Sequence, residues 1–303
     1  MNQVQANTTG SATAWVLATR PKTLPAAVAP VVVGCAMAYA HHRFAFLPAV
    51  ACLAVSLLLQ IGVNLANDYF DYTKGIDTED RIGPVRVTQS GLIPPGRVKT
   101  AMTTVFVLSL VPGIYLINIG GWPVVAIGCT SIVAALAYSG GPFPLASHGL
   151  GDLFVFIFFG LVAVCGTYYV QALGLTPMVV LMGTAVGLLI TAILVVNNIR
   201  DMETDRKSGK RTLAVMIGKQ KTRWEYSVLL AGAYGILIFL WHADIESAWL
   251  LLPLATLPLA LMQIRLIWQP SDGTALNDLL AKTARLSFVF SVLLALGLII
   301  SSG

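Results

Sequence analysis

The sequence predicts an all-α membrane protein with nine transmembrane helices. Three observations lead to this prediction. First, 56% of the 303 residues are hydrophobic and only 11% are charged, with a mean hydropathy of +0.78. Second, long apolar stretches recur along the whole chain. Third, nearly all of the basic residues fall in alternate connections between those stretches. A soluble protein of this composition would expose too much apolar surface, so the soluble classes are excluded.

Each predicted span meets the requirement of about 20 largely apolar residues for crossing a bilayer. In order, the spans are residues 22–40, 47–66, 101–119, 122–139, 151–170, 177–196, 226–242, 247–268 and 284–302. Only Gly120 and Gly121 separate the third span from the fourth, which predicts a tight helical hairpin. A short turn containing Pro177 joins the fifth span to the sixth.

The start of the chain is polar, so we expect residues 1–13 to form a mobile tail and residues 14–303 to form a single transmembrane domain. Residues 38–40 read Ala-Tyr-Ala, which is similar to a signal-peptidase site. The apolar run over residues 24–40 is longer than is usual for a signal peptide. We therefore expect an uncleaved first span.

The distribution of basic residues predicts the orientation. With nine spans, every Lys and Arg except Arg43 falls on the side that holds the N-terminus and the loops after spans 2, 4, 6 and 8. Basic loops stay in the cytoplasm, so the N-terminus is predicted to be cytoplasmic. The same bias explains the net charge of +5 without nucleic acid as a partner.

An acidic motif occurs twice, at the ends of the second and sixth predicted spans. Residues 67–71 read Asn-Asp-Tyr-Phe-Asp and are followed by Asp77, and residues 197–201 read Asn-Asn-Ile-Arg-Asp and are followed by Asp205. In each motif an Asn and an Asp are four residues apart, which stacks them on one helix face. Carboxylates in so apolar a chain are costly and usually mark a functional site. The four-span offset predicts a parallel repeat that relates spans 1–4 to spans 5–8.

These side chains predict a site for a divalent metal ion and a polyphosphate. Mg²⁺ prefers oxygen ligands and often binds one or two carboxylates together with substrate phosphates. The candidate metal ligands are Asn67, Asp68, Asp71, Asp77, Asp201 and Asp205. Asp68 lies one residue off the shared face, so it is a less direct candidate. A solvated acidic loop is the alternative, and it fits Glu79, Asp80 and Glu203 best.

Basic and aromatic residues on the same side complete the candidate site. Arg binds phosphate in a bidentate manner and Lys binds it as a point charge. The alternative is that these charges only hold the loops inside. At the two ends of the connection between spans 4 and 5, Tyr138 is a candidate to face the site, and Asp152 is a candidate to orient a basic group or a substrate hydroxyl. Four phenylalanines of span 5 are candidates to line an apolar groove: Phe154, Phe156, Phe158 and Phe159.

Together these segments resemble the UbiA superfamily of intramembrane aromatic prenyltransferases over nearly the whole chain. The second family motif, D-x-x-x-D, is intact as Asp201 and Asp205. In the first, Asp77 follows Asp71 by six residues instead of four, which is similar to the menaquinone branch. Further segments of that branch are matched by residues 20–25 (RPKTLP), 64–69 (NLANDY), 140–145 (GGPFPL) and 149–152 (GLGD).

The resemblance implies a nine-helix prenyltransferase bundle and a reaction. Mg²⁺ would bind a polyprenyl diphosphate, and an electron-rich ring of 1,4-dihydroxy-2-naphthoate would attack the allylic carbon and lose its carboxylate as CO₂. The implied catalytic residues are Asp71, Asp201, Asp205 and Tyr138. The implied substrate-binding residues are Arg20, Lys22, Asn67, Asn197, Arg200, Lys210 and Asp152. The implied location is a bacterial inner membrane with a cytoplasmic active site, and no obligatory protein partner is inferred.

Other functions stay open at this point. A relative acting on 4-hydroxybenzoate or homogentisate, or using phytyl diphosphate, differs only in substrate. A cation-coupled transporter would place its acidic residues near the bilayer midplane instead of at the helix ends. A CDP-alcohol phosphotransferase would carry a D-G-x-x-A-R motif, which this sequence lacks.

Overall fold

The computed structural model describes residues 11–76, 83–243, 247–270 and 272–302. Within this part of the chain, nine helices are long and apolar enough to cross a membrane, which confirms the predicted number of spans. In chain order they are α1 (Ser11–Ala40), α2 (Phe46–Thr73), α3 (Pro95–Gly120), α4 (Trp122–Ser139), α5 (Gly151–Ala172), α6 (Pro177–Lys207), α7 (Leu213–His242), α8 (Ala248–Trp268) and α9 (Gly273–Ser301). The protein is therefore an integral, multi-pass membrane protein.

Helices α2 and α6 are longer than the apolar spans predicted for them. The predicted spans end at residues 66 and 196, whereas the helices continue to Thr73 and Lys207. Gly75 and Gly209 follow these ends with φ of 66° and 77°, a backbone conformation that glycine adopts readily and that stops a helix. Both acidic motifs consequently lie on the final helical turns, where side chains four residues apart stack.

Helix α1 is interrupted near its start. Arg20 has a left-handed conformation (φ 51°) and is followed by Pro21, which lacks the N–H that a continuous helix needs. Three polar side chains hold this break against α2: the amides of Gln60 and Asn64 both donate to the Thr23 hydroxyl. The break directs Arg20 toward the end of the bundle where the acidic motifs lie.

The predicted tail covers residues 1–13, and residues 1–10 lie outside the described part of the chain. Residues 11–13 belong to the helical segment Ser11–Thr19, and the division into a tail and a single domain stays a prediction. The internal repeat relating the first four spans to the next four stays a prediction.

Helix α6 is the most buried of the nine spans and forms the centre of the largest hydrophobic core, together with residues of α1, α5, α7, α8 and α9. Its contact with α5 is close because glycines meet there. A Cβ atom placed on Gly160 would lie only 2.6 Å from the Gly187 Cα and 2.8 Å from the Gly183 carbonyl oxygen. Residues Phe156–Val162 of α5 form a π-helical segment at this contact.

The loops after α2, α4 and α6 gather at one end of the bundle, which we call the motif end. The loop after α4 is joined to the loop after α6, because the Arg211 N–H donates to the Ser147 carbonyl over 3.1 Å. The Lys74 ammonium, just after α2, donates to the carbonyls of Ser139 (2.7 Å) and Gly141 (3.1 Å). These bonds bring the two acidic motifs to the same place.

Candidate active site

A polar cavity of about 240 Å³ opens at the motif end. Both acidic motifs line it, although 130 residues separate them in the sequence. The first motif contributes Asn67 and Asp71, and the second contributes Asn197, Asn198, Asp201 and Asp205. The structure thus brings together every motif residue predicted from the shared helical faces, and it adds Asn198, which the sequence analysis did not select.

Asp71 is buried and lies against two basic side chains. The Arg86 guanidinium donates to Asp71 Oδ2 over 2.9 Å, and the Lys210 ammonium lies 4.0 Å from the same oxygen. Arg86 is itself only 5% exposed. Two cations beside this buried carboxylate give the cavity positive groups that suit an anionic ligand.

Asp68 has a different environment from Asp71. Its two carboxylate oxygens accept hydrogen bonds from the backbone N–H groups of Val87 (3.1 Å) and Thr88 (2.9 Å). The residue is buried, and it does not line the cavity in the described part of the chain. This geometry does not favour Asp68 as a metal ligand. It holds the loop that carries Arg86, and through Arg86 it positions Asp71.

Arg200 is fully engaged within the second motif. Its guanidinium donates to both carboxylate oxygens of Asp201 (2.8 and 2.6 Å), to Asn197 Oδ1 (2.8 Å) and to Asn277 Oδ1 of α9 (2.9 Å). The side chain is 1% exposed and is not among the described residues that line the cavity. The predicted direct contact of Arg200 with diphosphate is therefore not supported, and its bonds orient Asp201 and Asn197 instead.

The other predicted basic residues divide into two groups. Arg20 and Lys210 line the polar cavity, as expected for diphosphate contacts. Lys22 is exposed and is not among the described cavity-lining residues, although it lies only two positions after Arg20. Lys74 donates to the loop after α4, and desolvation lowers its pKa, although the nearby charge of Asp71 acts in the opposite direction.

Asp77 completes the predicted metal-ligand set, and it lies outside the described residues. Its place relative to Asp71 and Asp201 stays a prediction. Ile76, the last described residue before it, lines the polar cavity, so the chain leaves the first motif at the cavity wall.

An apolar cavity of about 410 Å³ adjoins the polar one. Five residues line both of them: Gln60, Asn67, Tyr138, Val155 and Phe159. On α2 the lining runs from Asn67 to Cys52, which corresponds to roughly 22 Å of helix. The two cavities therefore form one continuous site with a polar end and a long apolar end.

Aromatic side chains of α4 and α5 stand along this site. Tyr138, which was predicted to face the site, lines both cavities and lies at their junction. Phe154, Phe158 and Phe159 line the apolar cavity, whereas Phe156 is not among its described lining residues. Asp152 lines the polar cavity and is 6% exposed, and its Oδ1 atom has no hydrogen-bond partner among the described residues.

The donor set of the polar cavity suits Mg²⁺. Among the described residues, no group of three or more His, Cys, Asp and Glu side chains is placed to hold one ion. Magnesium does not require such a cage, because it commonly binds one or two carboxylates and completes its shell with substrate phosphates and water. Asp71 on one wall, with Asp201 and Asp205 on the other, provides hard oxygen ligands of this kind.

Gln60 is another polar lining residue that the sequence analysis did not select. Gln60 shares a helix face with Asn64, Asn67 and Asp71, since the spacings are four, three and four residues, and that polar stripe was a usable signal. Arg86 was one of the basic residues after the first motif that the sequence offered either as a phosphate contact or as a charge holding a loop inside. Its bond to Asp71 was not predicted, because it lies 15 residues beyond Asp71 in an irregular loop. Only the path of that loop brings it to the carboxylate.

Comparison with known proteins places the chain among relatives of similar length. The UbiA prenyltransferase family matches residues 27–300. The 1,4-dihydroxy-2-naphthoate octaprenyltransferase of Escherichia coli (strain K12) is 38% identical, over 95% of this chain and 96% of the relative. The enzyme of that name from Mycobacterium tuberculosis is 40% identical, over 93% and 95%.

A solved structure has the same fold. The UbiA homologue from Archaeoglobus fulgidus, in a structure bound to GPP and Mg²⁺, superposes with a TM-score of 0.69. The comparison covers 95% of this chain and 99% of that one, at 16% sequence identity. The nine-helix arrangement is therefore shared at the level of the whole chain.

Proposed function

The chain belongs to the UbiA prenyltransferase family, and on that premise we propose that it transfers a polyprenyl group from polyprenyl diphosphate to 1,4-dihydroxy-2-naphthoate, giving demethylmenaquinol. The observation that carries this proposal is the continuous site, in which a polar cavity lined by both acidic motifs leads into a long apolar cavity. The identity to relatives of that name over nearly their whole length supports the choice of acceptor.

The diphosphate binds in the polar cavity. Asp71, Asp201 and Asp205, with amide oxygens of the same motifs, would hold Mg²⁺. When bound, Mg²⁺ supplies Lewis-acid neutralisation of the diphosphate, which makes it a better leaving group. Arg20 and Lys210 line the same cavity and provide positive charge for the phosphate oxygens. Arg86 and Arg200 act on the carboxylates: the first holds Asp71 and the second holds Asp201.

The prenyl chain lies in the apolar cavity, where burial of its hydrocarbon is favourable. Its first carbon then sits at the junction of the cavities, beside Tyr138. As the bond to diphosphate breaks, positive charge develops at that carbon, and the face of an aromatic ring stabilises such charge. The apolar walls also exclude water, which would otherwise capture the allylic cation.

The ring of dihydroxynaphthoate attacks the first carbon of the chain. With the ring carboxylate ionised, the carboxylate leaves as CO₂, diphosphate is released, and no net proton is produced. The hydroxylated ring is already nucleophilic, so the protein's main tasks are to position both substrates and to stabilise the departing charge.

We further propose that the protein resides in a bacterial inner membrane with the motif end in the cytoplasm. The basic residues support this orientation, since all except Arg43 belong to the side that holds the motifs. Both substrates are anionic, and that side carries the positive residues that attract them.

A product assay tests the proposed function. Membranes containing the protein receive polyprenyl diphosphate with either 1,4-dihydroxy-2-naphthoate or 4-hydroxybenzoate, with Mg²⁺ or with EDTA, and products are identified by mass spectrometry. We expect a prenylated naphthalenediol that has lost CO₂, formed only with the naphthoate and Mg²⁺. Membranes with the Asp71→Asn variant serve as the matched control. Prenylated 4-hydroxybenzoate that retains its carboxylate would refute the proposed acceptor.

A further inference from the structure

Two buried oxygen atoms at the polar cavity have no hydrogen-bond partner among the described residues: Gln60 Oε1 and Asp152 Oδ1. Both residues line the cavity, and they are 8% and 6% exposed. Buried polar atoms in folded proteins are nearly always hydrogen-bonded, so each exception requires an explanation. A ligand that supplies hydrogen-bond donors explains both.

The neighbours of Gln60 determine which of its amide atoms lacks a partner. The Thr19 carbonyl can only accept, so Asn64 donates its NH₂ there over 2.9 Å and keeps its Oδ1 as an acceptor. The Gln60 atom that lies 3.3 Å from Asn64 Oδ1 is therefore the NH₂ group. It also donates to the Thr23 hydroxyl, whose own hydrogen goes to the Arg20 carbonyl. Gln60 Oε1 is consequently held as an acceptor.

The position of Gln60 separates it from the metal ligands. It lies 11 residues before Asp71 on α2, or roughly 16 Å along the helix axis, which is too far for both side chains to bind one ion. Gln60 lines both cavities, so it stands at their junction, where Tyr138 also lies. This is the place where the aromatic acceptor must approach the first carbon of the prenyl chain.

The chemistry of the two oxygens identifies the group that fits them. A diphosphate has no hydrogens to donate to them at neutral pH. A ring with two hydroxyl groups provides two donors. We propose that Gln60 Oε1 and Asp152 Oδ1 form the acceptor subsite, each accepting a hydrogen bond from one of the two ring hydroxyl groups. This inference rests on the proposed function and names the residues that select the acceptor.

The subsite gives each variant a characteristic substrate preference. Two naphthoates that lack one hydroxyl serve as probes, 1-hydroxy-2-naphthoate and 4-hydroxy-2-naphthoate. In the wild-type protein, loss of a hydroxyl leaves a buried acceptor without a donor and lowers kcat/KM. In Gln60→Met, which keeps the side-chain length, the preference for the dihydroxy acid over one of these probes falls at least about tenfold. In Asp152→Leu, the preference for the dihydroxy acid over the other probe falls.

For each protein, the preference is kcat/KM for the dihydroxy acid divided by kcat/KM for the probe. The preference of the variant is then divided by that of the wild type, so the lower intrinsic reactivity of each probe cancels. Gln263→Met is the matched control, since Gln263 is a buried glutamine of α8 and is not among the described residues that line either cavity. It should leave both preferences unchanged. If Gln60→Met does not fold, competition in the wild-type protein replaces it: 2-naphthoate, which has no hydroxyl groups, should bind at least about tenfold more weakly than the dihydroxy acid.

In the variants, either of two results would overturn the subsite. One is an equal loss of activity toward all three acids in both variants. The other is a shift in the Mg²⁺ requirement with unchanged preferences. Equal competition by 2-naphthoate would overturn it as well. In each case the wild-type protein still converts the dihydroxy acid, so only the subsite fails. Absence of any product in wild type would instead refute the proposed function.

Discussion

At the scale of single residues, neighbouring carboxylates of one motif have different tasks. Asp71 lines the polar cavity beside Arg86 and Lys210, whereas Asp68 accepts two backbone hydrogen bonds outside it. Both are buried to the same extent, at 2% exposure. The direction of the side chain from the helix axis therefore separates a catalytic candidate from a structural residue.

This difference predicts opposite results for two identical substitutions. Asp71→Asn removes a charged oxygen ligand and should lower turnover by about 10²–10³-fold or more. Asp68→Asn keeps an oxygen that accepts at least one backbone N–H, so it should keep most of the activity and lose some stability. Turnover and Tm of both purified variants are the measurements. An Asp68→Asn protein with normal Tm and no turnover would contradict the assignment.

The contact between Arg86 and Asp71 predicts that replacing Arg86 changes the Mg²⁺ concentration needed for activity. Because its guanidinium holds Asp71 Oδ2 at 2.9 Å, Arg86→Met should raise the Mg²⁺ concentration for half-maximal activity by about 10–100-fold. Arg86→Lys retains a positive charge and should recover part of this loss. Lys22→Met is the control, since Lys22 is exposed and is not among the described cavity-lining residues. An unchanged Mg²⁺ titration in Arg86→Met would remove Arg86 from the site.

At the scale of elements, the contact between α5 and α6 depends on glycines. Their backbones are so close that a methyl group at Gly187 would lie 2.9 Å from the Gly160 Cα and 3.0 Å from the Phe156 carbonyl oxygen. The same pair of helices positions Phe159 of the cavity wall and the second acidic motif. Small residues at this contact therefore serve the geometry of the site as well as packing.

A matched pair of substitutions tests this contact. Gly187→Ala should destabilise the protein by about 1–3 kcal/mol, because backbone atoms must move to admit the methyl group. Gly235→Ala in α7 should cost nothing, since no atom lies within 4 Å of the added Cβ. Thermal unfolding in one detergent compares the two variants. Equal Tm values would show that α5 and α6 separate without loss.

At the scale of the whole molecule, the bundle joins two distant motifs into one site at one end. The arrangement predicts a fixed orientation, with the motif end in the cytoplasm. In a variant without the four native cysteines, a cysteine at Ser208 should resist a membrane-impermeant thiol reagent applied outside intact cells. A cysteine at His42, in the loop after α1, should react. Labelling with the opposite pattern would reverse the orientation.

The sequence by itself determined the membrane class, the nine spans and the two acidic motifs, because hydropathy and helical periodicity are local properties of the chain. It also placed Asp71, Asp201 and Asp205 on helix faces that meet in the polar cavity. Only the tertiary structure decided that Arg86 holds Asp71, that Arg200 holds Asp201, and that the oxygens of Asp68 are used by a loop. Those contacts depend on the paths of connections and on side-chain directions, which no local pattern in the sequence specifies.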